Sequence, residues 1–239
     1  KVANIIYKNL SLGIKVMNFA EFYELIFKKV PLLELEEMWF LENIVHRSKI
    51  YETIKGGIET ILALILIIIL SPVFILLAIA VKLSSKGPII FKQKRVGKNG
   101  GEFILYKFRS MRESERQSWQ EEDYKRITAF GKIIRKTHLD ELPQLFNVLR
   151  GNISFVGPRP DFIEFYENLN QEIPYYNIRT LVKPGITGWA QINFPITVSP
   201  EQTKERLSYD FYYIKNYSPL LDLIILLKTV RPLFTASGI

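Results

Sequence analysis

The sequence predicts an α+β chain in which a re-entrant membrane helix is followed by a small β-hairpin and a mostly helical cytosolic domain carrying interfacial amphipathic helices. Three observations lead there. Residues 58–81 form an apolar run with one formal charge, Glu59, and a Ser71-Pro72 step near its middle. Two β-rich runs, Pro88–Gly97 and Glu102–Arg109, flank the turn-forming Lys98-Asn99-Gly100-Gly101. The remainder alternates helical patterns with loop punctuation, as at Gly157-Pro158-Arg159-Pro160 and Lys183-Pro184-Gly185.

Residues 1–50 mix helix-like periodicity with charge, as in Phe22-Tyr23-Glu24-Leu25 and Met38-Trp39-Phe40-Leu41, and read as a connector from a preceding soluble domain. Residues 51–86 hold the membrane segment. Roughly 20 apolar residues cross a bilayer core, so the run is long enough. Proline inside a helix removes a donor and clashes with the preceding turn, which predicts a break at Ser71 and Pro72. Both flanks are basic, with Arg47, Lys49 and Lys55 before the run and Lys82, Lys86, Lys92, Lys94 and Arg95 after it. Positive residues stay on the cytoplasmic side, so both ends lie there and the helix enters, bends and returns. A kinked spanning helix is the alternative.

Residues 87–239 form the third unit. Alternation in its second strand puts Phe103, Leu105, Lys107 and Arg109 on one face. Tyr124 to Thr137 reads as a basic helix, and further helices are expected near 200–216 and 219–234. The last is apolar nearly all round yet too short to span, so it is expected to lie against the membrane surface or the first helix.

With 239 residues, 48% of them hydrophobic, the chain can bury one sizeable core plus appendages. The absence of cysteine excludes disulfides and thiolate metal sites, and two isolated histidines, His46 and His138, leave no zinc cage. Any metal is then a hard ion held by oxygen. Lys and Arg number 32 against 24 Asp and Glu, a net charge of +8 that favours an anionic partner. Because the basic residues gather beside the membrane segment, phosphorylated molecules and lipid are expected and nucleic acid is not. The chain starts at Lys1 without a signal-type segment and is expected to be part of a longer protein.

The stretch from Arg135 to Gly151 carries the candidate chemistry. Pro143 suits a first helical turn and Gly151 a position just past the end, so a short helix is expected from near Asp140 to Arg150. Asp140 and Glu141 would sit at its positive end, which favours ionised carboxylates and bound phosphate alike. One carboxylate there can act as a nucleophile and its neighbour can hold magnesium. The plainer reading makes Asp140 an N-cap and Glu141 a first-turn acid. Between Lys92 and Arg112 stand seven basic residues against one acid, Glu102. Such a hairpin can bind anionic headgroups, each worth ~1 kcal/mol, or a diphosphate. Arg159, between Pro158 and Pro160, is held ready for bidentate phosphate contact, although such a loop is also a common structural turn.

These residues resemble the bacterial sugar transferases, also called monotopic phosphoglycosyl transferases or polyprenyl-phosphate sugar-1-phosphate transferases. The match runs from about Ile54 to Thr235. It rests on Ser71-Pro72, the run Gly87 to Gly97, Tyr106-Lys107-Phe108-Arg109-Ser110-Met111, Leu139-Asp140-Glu141-Leu142-Pro143-Gln144, Ser154 to Pro160 and Lys183 to Gly188. The resemblance implies that Asp140 attacks the sugar-bearing phosphate of a UDP-sugar, releases UMP and passes the phosphosugar to polyprenyl (undecaprenyl) phosphate. It implies Glu141 as the Mg2+ ligand, phosphate and nucleotide contacts at Lys107, Arg135 and Arg159, and a re-entrant helix broken at Ser71-Pro72. Arg109 joins the substrate-binding set through its strand face. The implied setting is the bacterial cytoplasmic membrane, with the catalytic domain on the cytosolic face and membrane lipid as partner. A homodimer is compatible with it.

Small family members carry a Lys-Arg-x-x-Asp signature where this chain reads Lys55-Gly56-Gly57-Ile58-Glu59, so the anchoring interaction of that motif is expected to weaken. The segment from Phe22 to Asn43 looks like the connector of long members. Two other readings remain. A nucleotide-sugar glycosyltransferase would release UDP, but no Asp-x-Asp metal motif is present. A membrane-anchored scaffold would explain the charge and the apolar run, yet it leaves Asp140 and Glu141 without a role.

Overall fold

A computed structural model describes residues 17–34, 37–44, 49–112, 126–194 and 199–235. Two short helices lead, α1 (Phe19–Phe27), capped by the Asn18 side chain on the Glu21 amide, and α2 (Glu37–Ile44). Helices α3 (Lys49–Ile69) and α4 (Ser71–Ser84) follow, bent by 65° at the intervening residue. Pro72 lies in the first turn of α4, where a missing N–H leaves no bond unmade, so the break falls at the predicted Ser71-Pro72 step. Among the described residues no single helix is long and apolar enough to cross a membrane, whereas this bent pair is by length and composition.

Strands β1 (Ile90–Val96) and β2 (Glu102–Phe108) pair antiparallel, with Ile90 opposite Phe108 and Arg95 opposite Phe103. Their turn places Asn99 and Gly100 at φ of 56° and 78°, the left-handed region that asparagine and glycine tolerate. After them come α5 (Ala129–Lys136), α6 (Gln144–Leu149), β3 (Ser154–Val156), α7 (Ile163–Glu172), β4 (Gly185–Thr187), α8 (Trp189–Asn193), α9 (Pro200–Lys215) and α10 (Pro219–Thr235). The described chain is thus α+β, mostly helical, with one small antiparallel sheet and a short parallel pair, β3 with β4.

Three differences from the sequence reading have physical causes. The basic helix starts at Ala129, because Thr128 accepts from the Gly131 amide and caps it there; Tyr124 and Lys125 lie outside the described residues. The helix expected from Asp140 starts instead at Gln144, since Leu139–Glu141 close a separate 3-10 turn and Pro143 occupies the N-cap. The β3–β4 pair was not expected. It depends on close backbone approach: a Cβ on Gly185 would sit 2.1 Å from the Gly157 nitrogen.

The core has three parts. The largest gathers Val156, Tyr176, Trp189, Leu207, Phe211 and Ile225 between β3 and helices α8 to α10. Ala63 of α3 packs with Phe103, Leu105, Val148 and Ile153, and Leu77 and Val81 of α4 pack with Phe108 and Ile134. Both limbs of the bent pair thereby rest on the hairpin, while Ile58, Ile61, Ile65, Ile75, Leu76 and Ile79 face outward.

At the base of α3 the expected loss of anchoring is corrected. The Lys55 ammonium lies 2.7 Å from the Asp222 carboxylate of α10 and 3.8 Å from Glu59, and it donates to the Val156 carbonyl at 2.9 Å. Tyr51 donates to the same Asp222 at 2.6 Å, and Glu59 accepts from the Ser154 hydroxyl and the Phe155 amide. An acid far away in sequence supplies the counter-charge, and it also ties α10 against the first helix.

Candidate active site

The site is assembled around the open edge of β2. The Asn147 side chain, fully buried in α6, accepts from the Tyr106 amide at 3.0 Å and donates to the Ile104 carbonyl at 2.6 Å. A side-chain amide here imitates a neighbouring strand, fixing β2 on α6 and bringing Lys107 over the turn before α6. His138, at φ 54°, reverses the chain so that the 3-10 turn presents Asp140 and Glu141. The Lys107 ammonium meets Glu141 at 2.6 Å, and the Arg159 guanidinium approaches the same carboxylate oxygen at 3.7 Å.

The two carboxylates experience different fields. Burial pushes the Asp140 carboxyl above its ordinary value, and the nearby Glu141 adds to this, while Lys107, Arg135 and His138 oppose it. Burial also works against ionised Glu141, but Lys107 and Arg159 outweigh it and hold that carboxyl below its ordinary value. The expectation that both acids are pushed toward ionisation is corrected for Asp140, where burial prevails; both acids lie ahead of α6 rather than on its first turn. Adjacent acids driven apart in this way suit different roles. The more basic carboxylate keeps the more available lone pair, and the more acidic one holds a permanent negative charge.

A shallow cleft adjoins these residues, lined by Arg95, Lys107, Gln144, Arg159 and Ile186 among others. Three cations in one wall favour an anionic ligand there. Among the described residues no group of three His, Cys, Asp or Glu could cage a metal. Magnesium does not need one, since it is held by one or two carboxylates together with substrate phosphates. Glu141 beside a cationic cleft fits that donor set.

Asp140, Glu141, Lys107 and Arg159 therefore converge, and Arg135 stands close by in the last turn of α5, its charge felt at Asp140. Arg109 does not converge with them. Its guanidinium donates to the carbonyls of Val81, Ser85 and Pro88, at 3.3 and 2.6 Å for the first two, and so closes the end of α4. The seven basic residues separate likewise: Lys92 and Lys94 are exposed, Lys98 pairs with Glu52, and Arg95 is buried. Arg95, read only as one of the hairpin's basic residues, and Gln144, read only within the Leu139–Gln144 motif, were not among the expected site residues. For Arg95 the observed register decides: Val96 pairs with Glu102, which sets Arg95 opposite Phe103 on the face that carries Lys107, whereas a four-residue turn over Lys98–Gly101 would set it opposite Ile104 on the other face.

Comparison with known proteins gives matches over most of the chain. A family described as "Bacterial sugar transferase" matches residues 50–236. The chain is 43% identical over 194 residues to the UDP-N-acetylgalactosamine-undecaprenyl-phosphate N-acetylgalactosaminephosphotransferase of Aeromonas hydrophila, covering 80% of this chain and 46% of that protein. It is 41% identical over 211 residues to the UDP-glucose:undecaprenyl-phosphate glucose-1-phosphate transferase of Escherichia coli K12, covering 82% of this chain and 44% of that protein. Against the exopolysaccharide production protein PSS of Rhizobium leguminosarum the identity is 38% over 190 residues, with 74% of this chain and 93% of that protein covered. The chain thus spans less than half the length of the Aeromonas and Escherichia relatives.

Proposed function

The chain belongs to the bacterial sugar transferase family, and from that premise we propose that it is a phosphoglycosyl transferase moving a sugar-1-phosphate from a UDP-sugar to undecaprenyl phosphate. The relatives' names supply the reaction class and both substrates. The observation that carries the residue-level reading is the Asp140–Glu141 pair, driven in opposite directions beside Lys107 and Arg159.

The Asp140 carboxylate attacks the sugar-bearing phosphorus, forming a carboxyl–phosphate bond as the bond to the bridging oxygen breaks and UMP departs. An oxygen of undecaprenyl phosphate then attacks the same phosphorus, restoring the carboxylate and yielding an undecaprenyl diphosphate sugar. Lys107 and Arg159 hold the phosphate oxygens and offset the negative charge that gathers on them. Glu141 remains anionic between these cations and would hold Mg2+, which when bound neutralises charge on the leaving diphosphate oxygen. The α3–α4 pair is the re-entrant element, its outward isoleucines and leucines set in the cytosolic leaflet of the bacterial cytoplasmic membrane. The chemistry then takes place on the cytosolic face as the first membrane step in making an exopolysaccharide or glycoconjugate.

Intact-mass measurement after incubation with a panel of UDP-sugars and magnesium, without lipid acceptor, tests the covalent step and identifies the sugar. A sugar-phosphate mass increase on the parent and none on Asp140→Asn, with UMP released, is the expected result. Turnover with undecaprenyl phosphate that releases UDP and leaves no adduct would replace this reading with a glycosyltransferase.

A further inference from the structure

The turn that carries Arg159 is held by its carbonyl groups. Pro158 O accepts from the Gly185 amide at 2.9 Å, Arg159 O from Arg179 at 3.0 Å and Arg206 at 3.3 Å, and Asp161 O from the Val96 amide at 3.0 Å. Pro160 O accepts from Nη1 of Arg95 at 2.9 Å. Proline fixes φ but leaves ψ free, so flanking prolines alone do not set where the Arg159 side chain departs. The orientation of the carbonyls on either side does. Arg179 is neutralised inside the fold by Asp161 and Asp210. Arg95 is not: among the described residues no carboxylate pairs with it.

Arg95 is 7% exposed; its guanidinium stacks on the Phe162 ring at 3.5 Å and donates Nη2 to Gln93 at 2.7 Å, while its buried Nε finds no partner among the described residues. Burial, Arg159 and Arg206 pull it below its ordinary pKa, with Glu141 offsetting part of this. Placing a cation there without a carboxylate in contact is costly for the empty protein, and a residue needed only to fill space would avoid that cost. The same cation lines the cleft shared by Lys107 and Arg159.

We propose that Arg95 is a positioning residue, whose stacked fork orients the Pro158-Arg159-Pro160 turn so that Arg159 faces Glu141 and the substrate diphosphate. The part about the diphosphate rests on the function proposed above. Arginine rather than lysine is required, because only a planar fork can stack on Phe162 while donating in two directions.

The test uses the full chain in detergent micelles, with UDP and magnesium as the probe, and compares the parent, Arg95→Met, Arg159→Ala and the double variant. In Arg95→Met, amide exchange in the segment 156–163 is expected to accelerate about tenfold while β1–β2 stays protected, and UDP affinity to fall about tenfold, as for a lost hydrogen bond to a charged group. In the Arg159→Ala background the same substitution should cost nothing further. Should Arg95→Met fail to fold, Arg95→Lys, which keeps the charge and loses the stacked fork, carries the same comparison. Unchanged exchange in the turn, or additive losses of UDP affinity, overturns the proposal even while Arg159→Ala alone weakens UDP. A loosened turn with UDP binding indifferent to Arg159→Ala instead keeps the positioning role and removes the diphosphate contact.

Discussion

Replacing Lys55 with methionine tests the anchor at the base of α3. The substitution keeps the length of the side chain and removes the ammonium, so Asp222 and Glu59 lose a cation at 2.7 and 3.8 Å and the Val156 carbonyl loses a donor. The Lys55 and Asp222 side chains are 7% and 11% exposed, so solvent does little to screen what remains. Removing one partner of a buried pair costs about 3–5 kcal/mol, because the other charge is left uncompensated. For a chain of this size that is roughly 6–20 °C in Tm, taking about 2–4 °C per kcal/mol. Thermal unfolding in detergent micelles measures it, beside Asp222→Asn and the double variant. In the Lys55→Met background, Asp222→Asn should cost far less than in the parent. Additivity within about 0.5 kcal/mol would refute a coupled pair and reduce the contact to an accident of packing.

Four further outcomes follow from the geometry. Gly185→Ala should cost about 3 kcal/mol or more, at the upper end of overpacking, since its Cβ would meet the Gly157 nitrogen at 2.1 Å, and a normal unfolding curve would contradict the β3–β4 contact. Gly57→Ala, in open space within α3, should by contrast stabilise by about 0.5–1 kcal/mol. The acid limb of kcat/KM should lie above the ordinary carboxylate range near pH ~4, because a raised Asp140 pKa means that the proposed nucleophile begins to protonate at higher pH; a limb at or below that range would show that burial does not govern Asp140. Arg109→Met should lower stability by about 2–3 kcal/mol through the unmade bonds at the end of α4, yet leave UDP affinity within about twofold, and a loss of affinity without a loss of stability would return Arg109 to the substrate site.

What could be read from the sequence was mostly local. Lys98-Asn99-Gly100-Gly101 specifies its own turn, and the Ser71-Pro72 break follows from a missing donor. Asp140, Glu141, Lys107 and Arg159 were visible as charge types in a pattern, and the fold brings them together. What stayed hidden depends on partners distant in sequence. The three-residue strand β3 is too short to show alternation, and its pairing rests on Gly185 rather than on any apolar pattern. The last helix was read as apolar nearly all round, and nothing local in it marks Asp222 as the partner of Lys55. Arg109 was read as part of one β2 face, but it follows the strand's last residue, Phe108, and its bonds to the end of α4 were not foreseeable from alternation.

The cluster at Asp222 also bears on the time course of biosynthesis. Tyr51 and Asp222 are separated by 171 residues. At ~5–20 residues per second a ribosome needs roughly 10–30 s between them, and throughout that interval Lys55 and Glu59 have no distant counter-charge. The nascent chain therefore cannot close the base of its first long helix until α10 has been made. Until then the bent helix pair can form while its cover stays open, and a stalled or prematurely released product would present two buried-type charges to quality-control proteases. Synthesis of α10, rather than of Asp140 and Glu141, is the event that locks the base of α3.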